Sequence, residues 1–432
     1  MATCETKKID SNSVGLNFAI EECLGQLPSN PQWQALEPNS FSDFGGELST
    51  TNRTPLGGSR QNKKGVVTDL SVKGGFNIDF TQNNLNTLLE GLFFADTRVK
   101  TNYQFTGASG DIKFNVASKI YSLTSTTKDF TELGLVVGEW IFVGGDSANE
   151  RFATAGAFYG RVSNVTANKI TFDNGTFKSG LSNDDGAGKT IKIFMGKVIK
   201  NENDIDLIKR KSYCFERTLG VDLTTKQKQA EYISGAVLGE FSLEVKQGEM
   251  LKSELSFVAT DNEYKTGTLL SDSKLTPALA ETGINTTSDI RSIRLSLNDD
   301  TQSTSKPLFA YVTEMSIEVN NNLTENKALG TFGSIDVSAG NFDVSAKTTA
   351  YFTTVEAVNA VRQNADVGLQ AIFATNGKGF IFDVPLVGLS GGTLNVEKDS
   401  PVTIELEAMG AENKFGYTMM YINFPMLPKI AM

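Results

Sequence analysis

An internal repeat constrains the fold of this chain more than any other feature. The pattern of apolar and acidic residues between 243 and 262 returns 151 residues later. The matching apolar pairs are Leu243 and Leu394, Val245 and Val396, and Leu255 and Leu406. A second, looser echo relates residues 70–78 to residues 335–344. Each copy is predicted to contain a strand pair, a helix and a second strand pair, in that order. Such duplication is more typical of a protein that assembles than of an enzyme.

The composition predicts a globular chain in which the chemistry of many enzymes is missing. The 432 residues are 39% hydrophobic and 21% charged, which is typical of a folded protein of two or three domains. The sequence contains no histidine, so it lacks the commonest general base and the favoured zinc ligand. An enzyme that uses carboxylates or lysine remains open, but we expect a protein that is not an enzyme.

The charge and the cysteines exclude two further classes of protein. A net charge of −10 disfavours wrapping around nucleic acid, which requires a concentrated cationic face. An acidic surface would instead let DNA pass without binding it. Cys4, Cys23 and Cys214 are widely spaced and include no CxxC pair, so neither a disulfide scaffold nor a structural zinc site is expected.

Two short motifs resemble ligand sites but lack the required context. The segment 186–190 ends like a phosphate-binding P-loop, yet the glycine required five residues before Gly188 is Asn183, and a strand-like segment follows. The acidic run 183–185 lacks the ligand spacing of a calcium-binding EF-hand loop. The sequence therefore predicts no cofactor and no metal.

Neither a membrane span nor a signal peptide is visible in the sequence. No apolar run approaches the roughly 20 residues that a spanning helix needs. The amino-terminal residues 1–10 lack the apolar core of a signal peptide. We therefore expect synthesis in the cytoplasm and no membrane partner.

Changes in residue pattern divide the chain into five parts, and the fold class is mainly β with short flanking α-helices. One helix is predicted at 84–94, where leucines recur with helical spacing, and a second, valine-rich helix at 354–362. Residues rich in Gly, Thr and Asn indicate a small inserted β domain. The predicted parts are an N-terminal arm (1–40), a first β unit (41–102 and 203–265), the inserted domain (103–202), a linker (266–290) and a second β unit (291–432).

Two sets of charged residues are the candidate functional residues. Carboxylates recur on the polar sides of the predicted strands in both copies. These are Glu244, Glu254, Glu314, Glu318, Asp336, Asp343, Glu405 and Glu407. A catalytic acid/base pair is conceivable, but dispersal over both copies favours a solvated face. The second set lies in a loop rich in Gly and Pro and comprises Arg53, Arg60, Lys63 and Lys64, for which an inter-subunit loop is favoured over a nucleic-acid contact.

The order of several segments resembles the major tail tube protein of long-tailed, double-stranded-DNA bacteriophages. The resemblance rests on the segments 18–28, 53–55, 85–93, 214–235 and 322–330. It extends over most of residues 14–425 except the predicted insertion. The resemblance implies that each copy is a tail-tube domain, a β-sandwich or β-barrel unit with a flanking helix. It also implies that sheets of neighbouring subunits join edge to edge into a closed barrel, which removes their free edges.

Stacked rings of such subunits would form a hollow tube. The resemblance implies that the carboxylates above line the lumen, that the 53–64 loop and the N-terminal arm contact the neighbouring ring, and that the insertion decorates the exterior. Implied partners are further copies of the chain, the tail terminator and distal tail proteins, and the tape measure protein and passing DNA within the lumen. The protein would reside in the tail of the virion.

The duplication bears on the number of chains in a ring. Two domains per chain favour a homotrimer with pseudo-sixfold symmetry over a homohexamer, because three chains already supply six units. Two other functions remain open: a tube protein of a contractile injection machine and a carboxylate-based β-fold enzyme. Single tube domains serve in the contractile machines, so the duplication disfavours the first.

Overall fold

The computed structural model is mainly β. It describes residues 9, 11–54, 56, 61, 63–178, 180–222, 224–266, 274–298, 306–309 and 311–432. Strands account for 51% of the chain and helices for 7%, which confirms the predicted fold class. The described strands form an 18-stranded sheet that curls into a half-barrel, a seven-stranded sheet and a two-stranded sheet.

Residues 11–102 form four strands and one helix. The strands are β1 (Gly15–Ile20), β2 (Gln32–Leu36), β3 (Pro38–Thr51) and β4 (Val66–Asp79), and the helix is α1 (Asn86–Phe93). The leucine stripe of α1 is buried against the sheet, as its helical spacing predicts. The helix ends where Phe94 adopts a left-handed conformation, with φ of 50°.

The segment that follows forms the seven-stranded sheet. Its strands are β5 (Gln104–Thr106), β6 (Lys113–Ala117), β7 (Ile120–Thr124), β8 (Trp140–Val143), β9 (Phe158–Thr166), β10 (Lys169–Gly175) and β11 (Lys192–Phe194). They pair in the order β5-β11-β8-β9-β10-β7-β6 around their own apolar core. We call residues 104–194 the insert; its boundaries as a domain stay a prediction.

Residues 197–432 supply the remaining strands of the large sheet and both strands of the two-stranded sheet. From 197 to 276 the strands are β12 (Lys197–Lys200), β13 (Tyr213–Val221), β14 (Lys228–Lys246), β15 (Lys252–Ala259), β16 (Asp261–Thr266) and β17 (Lys274–Thr276). From 290 the elements are β18 (Ile290–Leu297), β19 (Lys306–Pro307), β20 (Val312–Asn320), β21 (Thr324–Asn326), β22 (Asp336–Ser338), β23 (Asp343–Tyr351), α2 (Glu356–Arg362), β24 (Val367–Thr375), β25 (Lys378–Asn395), β26 (Thr403–Gly410) and β27 (Met420–Phe424). Short 3₁₀ turns occur at Ser11–Ser13, Phe130–Leu133, Ala148–Glu150 and Lys429–Ala431.

The topology of the described strands repeats within the chain. The elements β1, β3, β4, α1, β13, β14, β15 and β16 correspond in order to β18, β20, β23, α2, β24, β25, β26 and β27. In both series the first strand pairs with the strand after the helix, and the second and third strands form a hairpin. The remaining pairings also match. We call the two series the first and second copies.

Strand register confirms one of the two sequence echoes and corrects the other. Glu254 and Glu405, which are 151 residues apart, lie at the same position of β15 and β26. Glu254 is paired with Asn77, and Glu405 is paired with Thr349. The equivalent residues of β4 and β23 are therefore 272 apart, so the match of residues 70–78 with 335–344 is wrong. A pattern of alternating apolar residues is compatible with several strand registers, and pairing with the neighbouring strand selects one of them.

Half of each copy contributes to one continuous antiparallel array. Its order is β3-β4-β15-β14 followed by β20-β23-β26-β25, so the same four-strand order occurs twice, head to tail. The two halves meet where the carboxyl-terminal part of β14 pairs with β20. We call this array the eight-stranded sheet and the β14–β20 pairing the internal junction. The outer edge of β3 and the outer edge of β25 from Gly388 to Asn395 have no partner strand among the described residues.

The two copies share one apolar core behind the eight-stranded sheet. Phe241 of the first copy stacks on Phe382 of the second, with ring centroids 6.1 Å apart. Phe80 contacts both rings from the connection between β4 and α1. The buried amide of Gln82 donates to Asn423, and Asn423 Nδ2 donates back to the Gln82 carbonyl over 2.9 Å. These contacts fix the orientation of one copy against the other.

The insert packs on the second copy, although its sequence interrupts the first. Strand β12, which follows the insert, pairs with β27. Arg161 of the insert bridges Asp173 over 2.9 Å and Asp383 of β25 over 3.3 Å, and Arg161 and Asp383 are almost completely buried. Burial alone would lower the pKa of Arg161, but the two aspartates raise it above its ordinary value. Burial raises the pKa of Asp383, which Arg161 opposes.

Candidate lumen and stacking surfaces

The eight-stranded sheet has one apolar face and one polar face. Strand β20 illustrates the alternation, since Met315 and Ile317 are buried while Glu314 and Glu318 are exposed. The apolar face carries the core and both helices. The opposite face carries exposed polar and charged side chains, and we call it the polar face.

The strand register brings seven of the eight predicted carboxylates to the polar face. These are Glu244, Glu254, Glu314, Glu318, Asp343, Glu405 and Glu407. Glu314 is paired with Thr349, which is paired in turn with Glu405, so these side chains share a row. Asp336, the eighth, lies in β22 of the two-stranded sheet and forms an ion pair with Arg210 over 3.4 Å. The structure therefore separates Asp336 from the others.

Sequence reasoning missed further charged residues on the same face. They are Asp79, Glu240, Lys73, Lys246, Lys252 and Lys347. Glu240 lies two and four residues before Ser242 and Glu244 on the same strand, so the period of two would have found it. The charged residues named for this face are nine carboxylates and four lysines, and their charges sum to −5.

Some of the negative charge is compensated at the internal junction. Lys246 Nζ lies 3.3 Å from Glu244 Oε2 and 3.6 Å from Glu314 Oε1. The hydrogen bond with Glu244 and the charges of both glutamates raise the pKa of Lys246 above its ordinary value. Elsewhere neutral groups contact the acids: Ser42 Oγ donates to Glu254 over 2.9 Å. The face is therefore acidic overall but interrupted by cations.

The basic loop extends from the tip of the β3–β4 hairpin. Arg53, Lys63 and Lys64 are exposed there, whereas Arg60 lies outside the described residues. Strand β15 pairs with β4 only from Val72 to Asp79, so the tip projects beyond the sheet. The apolar side chain of Leu56 in this loop is fully exposed.

The second copy places a loop at the same topological position, and sequence reasoning missed its significance. Residues 321–342 connect β20 to β23, just as residues 52–65 connect β3 to β4. Leu329, Phe332 and Ile335 are exposed in this loop. Single exposed apolar residues are ordinary, but a cluster of three in one loop is typical of a contact surface. The signal in the sequence is the apolar content of a Gly- and Asn-rich connection.

The structure adds nothing that favours a ligand site at the motifs rejected above. Strand β11, rather than a helix, follows the segment 186–190. Within the part of the chain that the structure describes, no three His, Cys, Asp or Glu side chains are grouped so as to hold a metal ion. No helix of the described residues has the length and apolar character that a membrane span requires.

Comparison with known protein families decides the identity of this architecture. The model of the phage tail tube protein family matches residues 11–410, which is nearly the whole chain. The chain belongs to the phage tail tube protein family. No curated protein matches it at a significant level. Membership in this family means a structural component of the virion tail that assembles with copies of itself into a tube.

Residues in the segments that resembled the tail tube family organise the outer strands of the first copy. Glu21 is buried and accepts hydrogen bonds from the backbone amides of Gly25 and Gly235, both over 2.8 Å. Its carboxylate also accepts from Ser212 Oγ over 2.6 Å. These bonds connect the N-terminal arm to β14 and to the approach to β13. In this tail tube protein, Glu21 of the resembling segment 18–28 therefore has a role in packing.

Proposed function

We propose that the chain forms stacked rings of the tail tube of a long-tailed phage, a hollow conduit through which double-stranded DNA passes during ejection. The observation that carries the proposal is the head-to-tail array with one acidic open face. Each copy contributes four strands in the same order, so further chains can extend the array at both free edges. Curvature and extension together close a barrel.

A ring of three chains has the dimensions of such a conduit. Three chains of eight strands give 24 strands. With strands about 4.8 Å apart and tilted by about 40°, the barrel is about 50 Å across between backbones. Side chains narrow this bore, which still admits a DNA duplex. Six chains in one barrel would double its width, so we favour a homotrimer with pseudo-sixfold symmetry over a homohexamer.

The polar face lines the bore in this proposal, with seven of the predicted carboxylates and without Asp336. The excess of carboxylates on this face repels phosphate, and the narrow, low-dielectric wall strengthens the potential inside. DNA then moves through the bore without binding to the wall. Cationic proteins bind DNA because they release its counterions, and an acidic wall releases none. The tape measure protein would occupy the same space before ejection.

The remaining features follow from this orientation. The loops 52–65 and 321–342 lie at equivalent positions of the two copies, so a trimeric ring would present six loops to the next ring. The insert packs on the side of the sheet away from the polar face and would lie on the exterior. Tail terminator and distal tail proteins would bind the ends of the tube. Synthesis would take place in the cytoplasm of the bacterial host.

Electron microscopy of the purified protein tests the proposal. We expect rings or hollow tubes at high protein concentration, with stain entering a central channel. Dispersed monomers under all conditions that preserve the native fold would contradict it. So would filaments without a channel.

A further inference from the structure

We propose that the internal junction is the template for the contact between neighbouring chains, and that it fixes the register in which β25 of one copy pairs with β3 of a second copy. This inference rests on the proposed ring and specifies its interface. The contact β25–β3 would be the equivalent of β14–β20, because β25 corresponds to β14 and β3 corresponds to β20.

The free edge of β25 exposes apolar residues that the internal junction buries. Leu243 and Val245 of β14 are 0% and 4% exposed beside β20. Their equivalents 151 residues later, Leu394 and Val396, are 40% and 72% exposed in the single chain. A strand edge with unpaired backbone groups and exposed apolar side chains is a surface that another strand covers. The equivalent junction inside the chain indicates that the occupant is a second copy.

The partner edge belongs to β3. In the internal junction, Glu244 pairs with Ser316 and Val245 pairs with Met315. On its other side, Ser316 is paired with Lys347 of β23. The equivalent of Lys347 in β4 lies 272 residues earlier and is Gly75, which is paired with Ser42. Ser42 of β3 is therefore the equivalent of Ser316 of β20.

Combining the two equivalences gives the register between chains. Asn395 is the equivalent of Glu244, since Glu244 pairs with Lys252 and Asn395 pairs with Thr403, the residue 151 positions later. Asn395 would then lie opposite Ser42 of the neighbouring copy. In the same register, Val396 would lie opposite Phe41 and be covered by it.

A bulge limits how far this register extends. Two residues of β3, Asp43 and Phe44, stand opposite a single residue of β4, and Asp43 has a φ of 42°. Strand β20 is paired without interruption at the corresponding position. The contact between chains is therefore similar to the internal junction from Ser40 to Ser42 and shifts by one residue beyond the bulge. The two kinds of junction in a ring would be related but not identical.

Disulfide trapping tests the register. In a background with Cys4→Ser, Cys23→Ser and Cys214→Ala, we would combine Asn395→Cys with Ser42→Cys. Residues directly opposite in an antiparallel pair have Cα atoms about 4.5–5.5 Å apart, within the range of a disulfide. The two positions of one chain lie on opposite edges of eight strands, so only neighbouring chains can form the bond. We expect covalent oligomers from oxidised tubes.

Two matched pairs serve as controls. Glu244→Cys with Ser316→Cys is the equivalent pair inside the chain and should give an intrachain disulfide. Asn395→Cys with Glu47→Cys moves one partner five residues, about 17 Å, along the strand and should give no covalent oligomers.

The outcomes separate this inference from the function on which it rests. If tubes form, and the internal cysteine pair forms its disulfide while the pair at 395 and 42 does not, the proposed register is wrong but the proposed tube stands. Absence of rings and tubes from the cysteine-free background would contradict the proposed function itself. Hydrogen exchange on the native protein gives a second measurement: assembly should protect amides within 388–395 and 39–42, and unchanged exchange there in formed tubes would also overturn the inference.

Discussion

Lys246 and Glu314 face each other across the internal junction, with Nζ 3.6 Å from Oε1, where the first copy of the tube domain meets the second. Beneath this exposed pair, Val245 and Met315 are buried side by side. The junction therefore has an ion pair on the polar face of the sheet and apolar contacts on the buried face. The end of β25 repeats the apolar side of this junction, with Val396, the residue that follows the strand, in the place of Val245. Among the described residues, this edge has no partner strand.

Aspartate substitutions at these equivalent valines should have opposite effects. Val245→Asp places a charge in the buried junction and should lower the free energy of unfolding by on the order of 3 kcal/mol. Val396→Asp should change it by less than about 0.5 kcal/mol, because the residue is exposed in the single chain. It should nevertheless abolish rings. Denaturant unfolding and microscopy check both results; a destabilised Val396→Asp monomer, or normal rings from it, would contradict the account.

Reversal of charge on the polar face should slow the passage of DNA without preventing tube formation. The variant changes Glu314, Glu318, Glu405 and Glu407 to Lys, which raises the net charge of the face by eight units per chain and attracts phosphate. We expect impaired DNA ejection from virions whose tails look normal. The matched control reverses Glu132, Asp185, Asp204 and Asp206, exposed residues outside the eight-stranded sheet, and should eject normally. Equal ejection by both variants would mean that the polar face does not line the bore.

The loop of the second copy should contribute to stacking and not to folding. Leu329→Asp combined with Phe332→Asp should leave the free energy of unfolding within about 0.5 kcal/mol of the parent, since both side chains are exposed. Single rings should persist while long tubes disappear, as measured by sedimentation and microscopy. Val99→Asp, an exposed apolar residue away from both loops, is the control and should stack normally. Long tubes from the double variant would contradict a stacking role.

Acid should loosen the insert before the eight-stranded sheet. Burial alone would raise the pKa of Asp111, but hydrogen bonds from Ser125, Thr126 and Thr127 outweigh it and lower the pKa far below the unfolded value of 3.8. A depressed carboxyl pKa gives stability that is present above the unfolded pKa and is lost as pH falls below it. We therefore expect amide exchange in residues 104–194 to accelerate, relative to the rest of the chain, as the pH falls below about 4.

A substitution at the same residue checks the cause of this acid sensitivity. Asp111→Asn should cost about 1–3 kcal/mol at neutral pH, because the amide cannot accept all of the hydrogen bonds. It should also reduce the pH dependence of the insert. Asp185→Asn, on an exposed residue of the same insert, should retain it. Identical acid sensitivity in Asp111→Asn would assign the effect to other groups.

The buried ions that connect the insert to the second copy should be strongly coupled. Arg161→Met should lower the free energy of unfolding by about 3–5 kcal/mol, because it leaves Asp383 buried without its partner. Asp383→Leu should cost less, because Arg161 keeps its ion pair with Asp173. The double variant should cost much less than the sum, since it removes both charges. Denaturant unfolding of the four proteins gives the coupling energy; additive losses would contradict the ion pair as the connection.

The sequence predicted the elements of the fold better than their arrangement. Both helices and the equivalence of Glu254 with Glu405 follow from local periodicity, which survives folding unchanged. The docking of the insert depends on Arg161 and Asp383, 222 residues apart, and no local pattern indicates such a contact.

The candidate surfaces show the same limit. Seven carboxylates that alternate with apolar residues on long strands lie on the polar face, and their place in the lumen stays a prediction. Asp336 lies elsewhere because its strand is three residues long and pairs outside the large sheet. Which edges remain free, and hence how chains meet, follows only from the order of strands.

Cryo-electron microscopy of assembled tubes, with the number of chains per ring determined directly, tests the central claim most directly. The account predicts three chains per ring and a continuous inner barrel of 24 strands with near sixfold symmetry. The outside should have only threefold symmetry, because each chain carries a single insert, in its first copy. Six chains in one ring, or rings in which the eight-stranded sheets do not join, would contradict it.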